Sequence, residues 1–120
     1  MKTILVVDDN FDNRYIASPM LNLNGYITLD AVNGQQALDV LERTLPDLIL
    51  MDLTMPLMDG WEAARRIKAQ PRLAHIPILA VTSHAVEEEL ARAKASGCDD
   101  YLIKPFEYTM LIEKVKAQLA

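Results

Sequence analysis

The stretch Leu48-Ile49-Leu50-Met51-Asp52 decides the fold of this chain. Four consecutive apolar residues are typical of a strand that is buried on both faces, as the central strands of parallel sheets are. The strand ends on a carboxylate, and the turn-forming pair Asp59-Gly60 follows it after a short loop. Open α/β sheets bind their ligands at the carboxyl ends of central strands, which makes Asp52 a candidate functional residue.

Similar strands recur along the 120 residues. Apolar strands are predicted from Ile4 and Ile78, and less apolar ones from Tyr26 and Tyr101. Because a helical pattern follows each strand, the chain contains five βα units, which indicate a parallel sheet with helices on both faces. The continuously apolar strands belong at the centre and the others at the edges. We therefore predict a single-domain (βα)5 flavodoxin-like α/β sandwich over residues 1–120, with strand order 2-1-3-4-5.

Apolar spacing also predicts which helix faces are buried. In the first helix Ile16, Met20 and Leu23 should face the sheet, and Pro19 should kink or shorten the helix. A fourth helix is predicted from about Val86 to Ser96. In the other helices the predicted buried residues are Ala37, Leu38, Leu41 and Leu45 in the second, Trp61, Ala64 and Ile67 in the third, and Tyr108, Leu111, Ile112, Val115 and Leu119 in the last.

The composition excludes several functional classes. A net charge of −5 argues against generic nucleic-acid binding, which needs a basic surface. A run of only four apolar residues precedes Asp8, too few for a signal peptide, and no run approaches the roughly 20 apolar residues that span a bilayer. The lone Cys98 cannot form an internal disulfide, so we expect a reducing, cytoplasmic setting.

Polar side chains follow four of the predicted strands: Asp8 and Asp9, then Asp52, Thr82 and Lys104. Each has an ordinary structural explanation alone, since Asp8, Asp9 or the next residue Asn10 can cap the first helix and a lysine is usually solvated. Together they would meet at one edge of the sheet, where three carboxylates without a cation repel one another. A magnesium ion removes that repulsion. A carboxylate can then accept a phosphoryl group, with the ammonium and the hydroxyl on its oxygens.

The set Asp8-Asp9, Asp52 with Met55-Pro56 and Asp59-Gly60, Thr82, and Lys104-Pro105 resembles the receiver domain of two-component response regulators. The resemblance covers the whole chain and is strongest to stand-alone receivers of the chemotaxis and cell-division type.

This resemblance implies a role for each residue. Asp52 would be the phosphoacceptor. Asp9, Asp52 and the backbone carbonyl of Thr54 would bind Mg²⁺ (or Mn²⁺) directly, and Asp8 would bind it through water. Thr82 and Lys104 would contact the phosphoryl oxygens, and Thr82 would couple phosphorylation to a rotamer change of Tyr101.

The resemblance also implies partners. A sensor histidine kinase or a histidine phosphotransfer protein would donate the phosphoryl group, and a downstream protein target would receive the signal by contact. Such a chain is a signalling receiver rather than an enzyme, a monomer or weak dimer, with no nucleic acid or membrane among its partners.

Two other functions use similar residues. A haloacid-dehalogenase-like phosphatase also has a strand-end aspartyl nucleophile, but it needs a second aspartate two residues later, where this chain has Thr54. A flavodoxin-like cofactor binder shares the fold, but Asp8 and Asp9 would repel the phosphate of its cofactor.

Overall fold

A computed structural model of the chain describes residues 1–53, 60–82, 91–92, 94–104 and 106–120. Five parallel strands form one sheet in the order β2-β1-β3-β4-β5, as predicted. The strands are β1 (Thr3–Val7), β2 (Ile27–Ala31), β3 (Leu48–Asp52), β4 (Ile78–Thr82) and β5 (Asp100–Ile103). Within the described residues the helices with defined bounds are α1 (Phe11–Leu23), α2 (Gly34–Leu41), α3 (Gly60–Lys68) and α4 (Tyr108–Leu119).

The burial of the strands follows their apolar content. Every residue of β3 and β4 is buried, as are the last four residues of β1, while β2 and β5 are only partly buried at the two edges. Val6 pairs with Leu50, and Asp52 pairs with Val81 on the other side of β3. The three central strands therefore end side by side.

Side chains alternate between the two faces of a strand, and this divides the core into two layers. One layer packs the sheet against α2 and α3, and it includes Leu5, Ile49 and Ile67. The other packs the opposite face against α1 and α4. The strand residues of this second layer are Ile4, Val6, Leu48, Leu50, Leu79, Val81 and Leu102.

The predicted buried face of α1 is wrong. Ala17 and Leu21 are the buried residues of this helix, whereas Ile16 is 45 % exposed and Leu23 is 81 % exposed. Apolar residues lie on several sides of α1, so their spacing alone does not determine which side meets the sheet. The helix also runs through Pro19 to Leu23 without a break, so the proline does not shorten it.

In the other helices with defined bounds, all the residues predicted to be buried except Leu45 are buried or partly buried. Leu45 is an exception, because α2 ends at Leu41 and Leu45 is 51 % exposed beyond the helix. In α3 and α4 the predicted residues are buried or partly buried. Residues 91–92 and 94–95 are helical, and the rest of the predicted fourth helix, apart from the buried Ser96, lies outside the described residues.

Candidate functional site

The acidic side chains at the strand ends lie in line with the apolar side chains on one face of the sheet. Asp8 lies two residues beyond Val6, and Asp52 lies two residues beyond Leu50, so both carboxylates lie on the face that packs against α1 and α4. Each of the two residues is only 7 % exposed. The change from apolar to acidic along each strand therefore places two nearly buried carboxylates at the carboxyl edge of the sheet, where parallel sheets bind ligands.

Four of the predicted site residues come together at this edge. Carboxylate oxygens of Asp8, Asp9 and Asp52 lie within 4.8 Å of one another. Lys104 follows β5, and its Nζ is 3.6 Å from Asp8 Oδ2 and 3.9 Å from Asp52 Oδ2. The Lys104 ammonium lies beside Asp8 and Asp52, and the Arg14 guanidinium donates to the Asp8 carbonyl. Three carboxylates still outnumber these two positive side chains, and a bound cation would balance the excess negative charge.

Asp8 is held in place by the start of α1. The backbone amide of Asn10 donates to its Oδ1 at 2.9 Å, and Asn13 Nδ2 donates to its Oδ2 at 3.2 Å. Arg14 donates to its backbone carbonyl at 2.5 Å. Asn10 is the N-cap of the helix, because its side chain accepts from the Asn13 amide at 3.0 Å. The capping interpretation was thus right for Asn10.

The sequence prediction did not include Asn13 in the site. A signal was present, since Asn13 lies in the first turn of a helix that begins directly after Asp8 and Asp9. An amide there can reach back to the strand end.

Gly60, the first residue of α3, lies close to the end of β3. Its amide donates to the Leu53 carbonyl at 3.1 Å. A Cβ at this position would lie 2.3 Å from the Asp52 carbonyl oxygen and 2.6 Å from Leu53 Cα, far inside contact distance. Only glycine fits here, because α3 begins so close to the backbone of Asp52, the candidate phosphoacceptor.

Two further predicted residues, Thr82 and Tyr101, lie on β4 and β5. Thr82 ends β4 at 1 % exposure, and its carbonyl accepts from the Lys104 amide at 2.7 Å. Tyr101 on β5 is 41 % exposed, with Lys114 Nζ 5.4 Å from its ring centroid. Thr54 lies outside the described residues.

Comparison with known proteins decides the family. The family model of the response regulator receiver domain matches residues 4–116. The chain belongs to this family. The receiver is 36 % identical to a polar-differentiation response regulator, DivK of Brucella anthropi, over 118 residues, which cover 98 % of this chain and 96 % of that protein.

Solved structures agree. The receiver superposes on the chemotaxis protein CheY4 of Vibrio cholerae with a TM-score of 0.95 at 31 % identity, covering 99 % of both chains. It superposes on the receiver domain of the sensor histidine kinase PA1611 from Pseudomonas aeruginosa with a TM-score of 0.91 at 35 % identity, covering 98 % of this chain and 97 % of that one. This membership decides against the dehalogenase-like phosphatase and the flavodoxin-like cofactor binder.

The acidic cluster of the receiver fits a magnesium ion. Mg²⁺ prefers oxygen ligands at about 2.0–2.1 Å in an octahedron, so two ligands on opposite sides of it lie about 4.2 Å apart. The carboxylate oxygens of Asp9 and Asp52 lie within 4.8 Å of each other, which is close to that span, and a carboxylate oxygen of Asp8 is equally near for a contact through water. The PA1611 receiver structure contains a magnesium ion coordinated in its active-site cleft.

Among the described helices of the receiver, none combines the length and the apolar character that a membrane span requires.

Proposed function

We propose that this receiver is a phosphorylation-dependent signalling switch, which accepts a phosphoryl group on Asp52 from a histidine kinase or a histidine phosphotransfer protein in a Mg²⁺-dependent reaction. One observation carries the proposal. The Asp52 carboxylate ends the central strand, with two other carboxylates within 4.8 Å and the Lys104 ammonium at 3.9 Å. A nucleophile, a cation site and a positive side chain are the parts that phosphoryl transfer requires.

Asp52 is the proposed nucleophile. A carboxylate oxygen of Asp52 attacks the phosphorus of a phosphohistidine, a new P–O bond forms, and the P–N bond breaks as the imidazole leaves with its electron pair. The product is an aspartyl phosphate. Asp52 is well placed for this role because it is the last residue of a fully buried strand, so its backbone is fixed by neighbours on both sides.

The remaining site residues bind and orient the reacting group. Asp9, Asp52 and the backbone carbonyl of Thr54 would bind the magnesium ion directly, and Asp8 would bind it through water; the ion supplies positive charge to the phosphoryl oxygens when it is bound. Lys104 is proposed to bind a phosphoryl oxygen through its ammonium, and Thr82 to donate its hydroxyl to another. Thr82 ends β4, the neighbour of β3, and Lys104 follows β5, which is one strand further away.

Tyr101 is the proposed reporter of phosphorylation. Its ring is 41 % exposed on the edge strand, and it lies in register with Ala80, two residues before Thr82. A movement of Thr82 toward a phosphoryl group would leave space that the Tyr101 ring can fill. Burial of the ring would change the surface of the β4–β5 edge, and a downstream protein target could recognise that change.

The broader context of the proposal follows from the family. Receiver domains take phosphate from histidine kinases and act on downstream targets. For this chain we propose one receiver domain over residues 1–120, a monomer or weak dimer in the cytoplasm. Its chemistry is limited to its own phosphorylation and dephosphorylation.

Labelling with acetyl phosphate tests the proposal. In the presence of Mg²⁺ the wild-type chain should gain one phosphoryl group by intact-mass spectrometry, and Asp52→Asn should gain none. Asp12→Asn is the matched control, because it removes a carboxylate from the exposed first turn of α1. Equal labelling of the wild type and Asp52→Asn would refute Asp52 as the phosphoacceptor.

A second measurement tests the metal ligands. Asp9→Ala should lose Mg²⁺ binding by isothermal titration calorimetry, because it removes a direct charged ligand. Unchanged Mg²⁺ affinity in this variant would place the ion elsewhere.

A further inference from the structure

The ring of Tyr101 extends around the outer edge of the sheet. Side chains alternate between the two faces of a strand. Leu102 packs in the core layer that contains α1 and α4, so the side chain of Tyr101 starts on the opposite face, which is the face of its partner in register, Ala80. Its ring centroid nevertheless lies 5.4 Å from Nζ of Lys114, which belongs to α4. Because β5 is the outermost strand, the two side chains meet around its outer edge.

The Lys114 ammonium is fixed beside this edge by Asp100. Its Nζ donates to Oδ1 of Asp100 at 3.1 Å and to Oδ2 at 3.3 Å, and Oδ1 also accepts from the backbone amide of Tyr101 at 2.8 Å. The side chains of Lys114 and Asp100 are only 30 % and 29 % exposed. The ammonium therefore has a defined position next to the Tyr101 ring, within the roughly 6 Å over which a cation attracts the face of an aromatic ring.

We infer that Lys114 is a positioning residue for Tyr101, whose cation–π contact keeps the ring at the outer edge of β5 and away from Thr82. Ala80 and Thr82 are two residues apart on β4, so their side chains share one face of the sheet. To approach Thr82, the Tyr101 ring has to return to that face. This movement takes the ring away from the ammonium and breaks the contact.

The ring contact distinguishes Lys114 from a residue that only joins α4 to β5. The ion pair with Asp100 makes that connection in either position of the ring, and partly exposed ion pairs contribute little to stability. The attraction between Lys114 and the ring exists only while the ring is exposed. It should therefore favour the exposed position of Tyr101 over the buried one by an additional factor of roughly two to five.

The contact opposes the proposed switch, and this consequence rests on the proposed function. If burial of the Tyr101 ring accompanies phosphorylation of Asp52, the two events are linked. Whatever favours the exposed ring then disfavours the phosphorylated state by the same factor. Lys114 would thus keep the unphosphorylated chain in the arrangement with the exposed ring until a phosphoryl group on Asp52 overcomes that preference.

Fluorine NMR of the chain labelled with 3-fluorotyrosine tests the inference. The chain has four tyrosines, and Tyr101→Phe identifies the signal of Tyr101. In the wild type a soluble gadolinium chelate should broaden this signal, because the ring is exposed. In Lys114→Met the ratio of buried to exposed ring should rise roughly two- to fivefold, which shifts the averaged signal and reduces its broadening. The same position and the same broadening of the Tyr101 signal in both proteins would overturn the inference.

Two variants separate the ring contact from other effects of the substitution. Lys114→Arg keeps a cation beside the ring and should restore the wild-type signal. Lys116→Met removes the same charge from an exposed position of α4 and should leave the Tyr101 signal unchanged. An equal change in Lys116→Met, or no restoration in Lys114→Arg, would contradict the inference. Lys114→Gln replaces Lys114→Met if the latter does not unfold cooperatively.

Beryllofluoride, an analogue of a phosphoryl group on a carboxylate, tests the link to Asp52 separately. With Mg²⁺ present it should bind Lys114→Met roughly two- to fivefold more tightly than the wild type by calorimetry. In a Tyr101→Leu background the same substitution should leave the affinity unchanged, because no ring remains. Equal affinities of the wild type and Lys114→Met would contradict the inference. Failure of the wild type to bind beryllofluoride would count against the proposed function alone, because the fluorine signal is measured without a phosphoryl group.

Discussion

The ammonium of Lys104 lies 3.9 Å from a carboxylate oxygen of Asp52, although β4 separates their two strands in the sheet. A lysine side chain is long enough to cross this strand, and its charge lies where a phosphoryl group on Asp52 would develop negative charge. The same ammonium is 3.6 Å from Asp8. It is thus both a partner of the acidic cluster and a competitor of the metal for that cluster.

Lys104→Met should therefore change two properties in opposite directions. Mg²⁺ affinity should rise by up to about tenfold, because a positive charge no longer repels the ion. The rate of labelling by acetyl phosphate should fall roughly 10²-fold, because a donor to the phosphoryl oxygens is lost. Calorimetry and mass spectrometry measure the two effects. Lys116→Met, an exposed lysine at the end of α4, is the control and should change neither. Weaker Mg²⁺ binding by Lys104→Met would contradict this argument.

The exposed aromatic pair on α1 should contact the phosphodonor. Phe11 and Tyr15 are 65 % and 67 % exposed, their rings stack at 5.8 Å, and they begin the helix that holds Asp8. Exposed aromatic residues beside a site are typical interface anchors. Phe11→Ala and Tyr15→Ala should each slow phosphotransfer from a phosphorylated histidine donor about tenfold.

Two residues of α1 determine the choice of variants for this phosphotransfer measurement. Leu23→Ala is the matched control, because Leu23 is 81 % exposed at the opposite end of the same helix. Charge reversal at Arg14 is less informative, since Arg14 also donates to the Asp8 carbonyl and would disturb the site itself. We expect Phe106, which is partly buried before α4 with its ring against Tyr108, to be a third contact of the donor. If Phe11→Ala, Tyr15→Ala and Phe106→Ala all transfer at the rate of the wild type, the donor docks elsewhere.

The stability of the fold should fall at alkaline pH because of Cys98. Burial, and to a smaller extent the neighbouring Asp99 carboxylate, raise the pKa of the Cys98 thiol from 9.0 to about 11. Between these values the unfolded chain releases a proton that the folded chain keeps, so the free energy of unfolding decreases as pH rises. Cys98→Ala has no thiol, so its free energy of unfolding should not show this decrease.

The expected difference can be measured by urea denaturation at pH 8 and pH 10. The wild type should lose about 1.4 kcal/mol more than Cys98→Ala between these two pH values. Equal losses in the two proteins would show that the thiol ionises as readily in the folded chain as in the unfolded one.

Lys68 should contribute more to stability than an ordinary charged residue of the same helix. Its Nζ donates to the Ala74 and Ile76 carbonyls and to Asp99 Oδ2, at 2.8 to 3.1 Å, and Asp99 Oδ2 also accepts from the Ile78 amide. Lys68→Met should lower the free energy of unfolding by about 2 kcal/mol, because several acceptors lose their partner.

Arg66→Met provides the control for Lys68→Met. Arg66 pairs with Glu62 on the exposed side of α3, and exposed ion pairs contribute less than about 1 kcal/mol. Equal effects of the two substitutions in urea denaturation would mean that the three hydrogen bonds of Lys68 are not worth more than one exposed ion pair.

The sheet was predictable because its central strands are apolar on both faces. The contrast between β3 and the edge strand β2 is large enough to separate central strands from edge strands, and the doubly wound order 2-1-3-4-5 agrees with that division. Asp8, Asp52 and Lys104 meet as predicted for this reason.

The helices were less predictable. In α1 the small residue Ala17 faces the sheet, while the larger Ile16 faces solvent. The size and hydropathy of these two residues favour burial of Ile16, and only the packing of Ala17 and Leu21 against the strands shows that the other side of the helix is buried. The role of Asn13 was missed for a related reason, since an amide on a helix has no functional meaning until its distance from a carboxylate is known.

The location of the acidic residues at strand ends also bears on how such a chain can evolve. Asp8 and Asp52 come at or after the last residues of their strands, beyond the ladder of Val6 with Leu50 and Val7 with Met51 that joins β1 to β3. Substitution of either acid leaves that ladder and both core layers intact. Selection can therefore remove or alter the phosphoryl chemistry proposed for this domain without unfolding it, and the sheet can persist as a binding scaffold in descendants that lack the proposed phosphoacceptor.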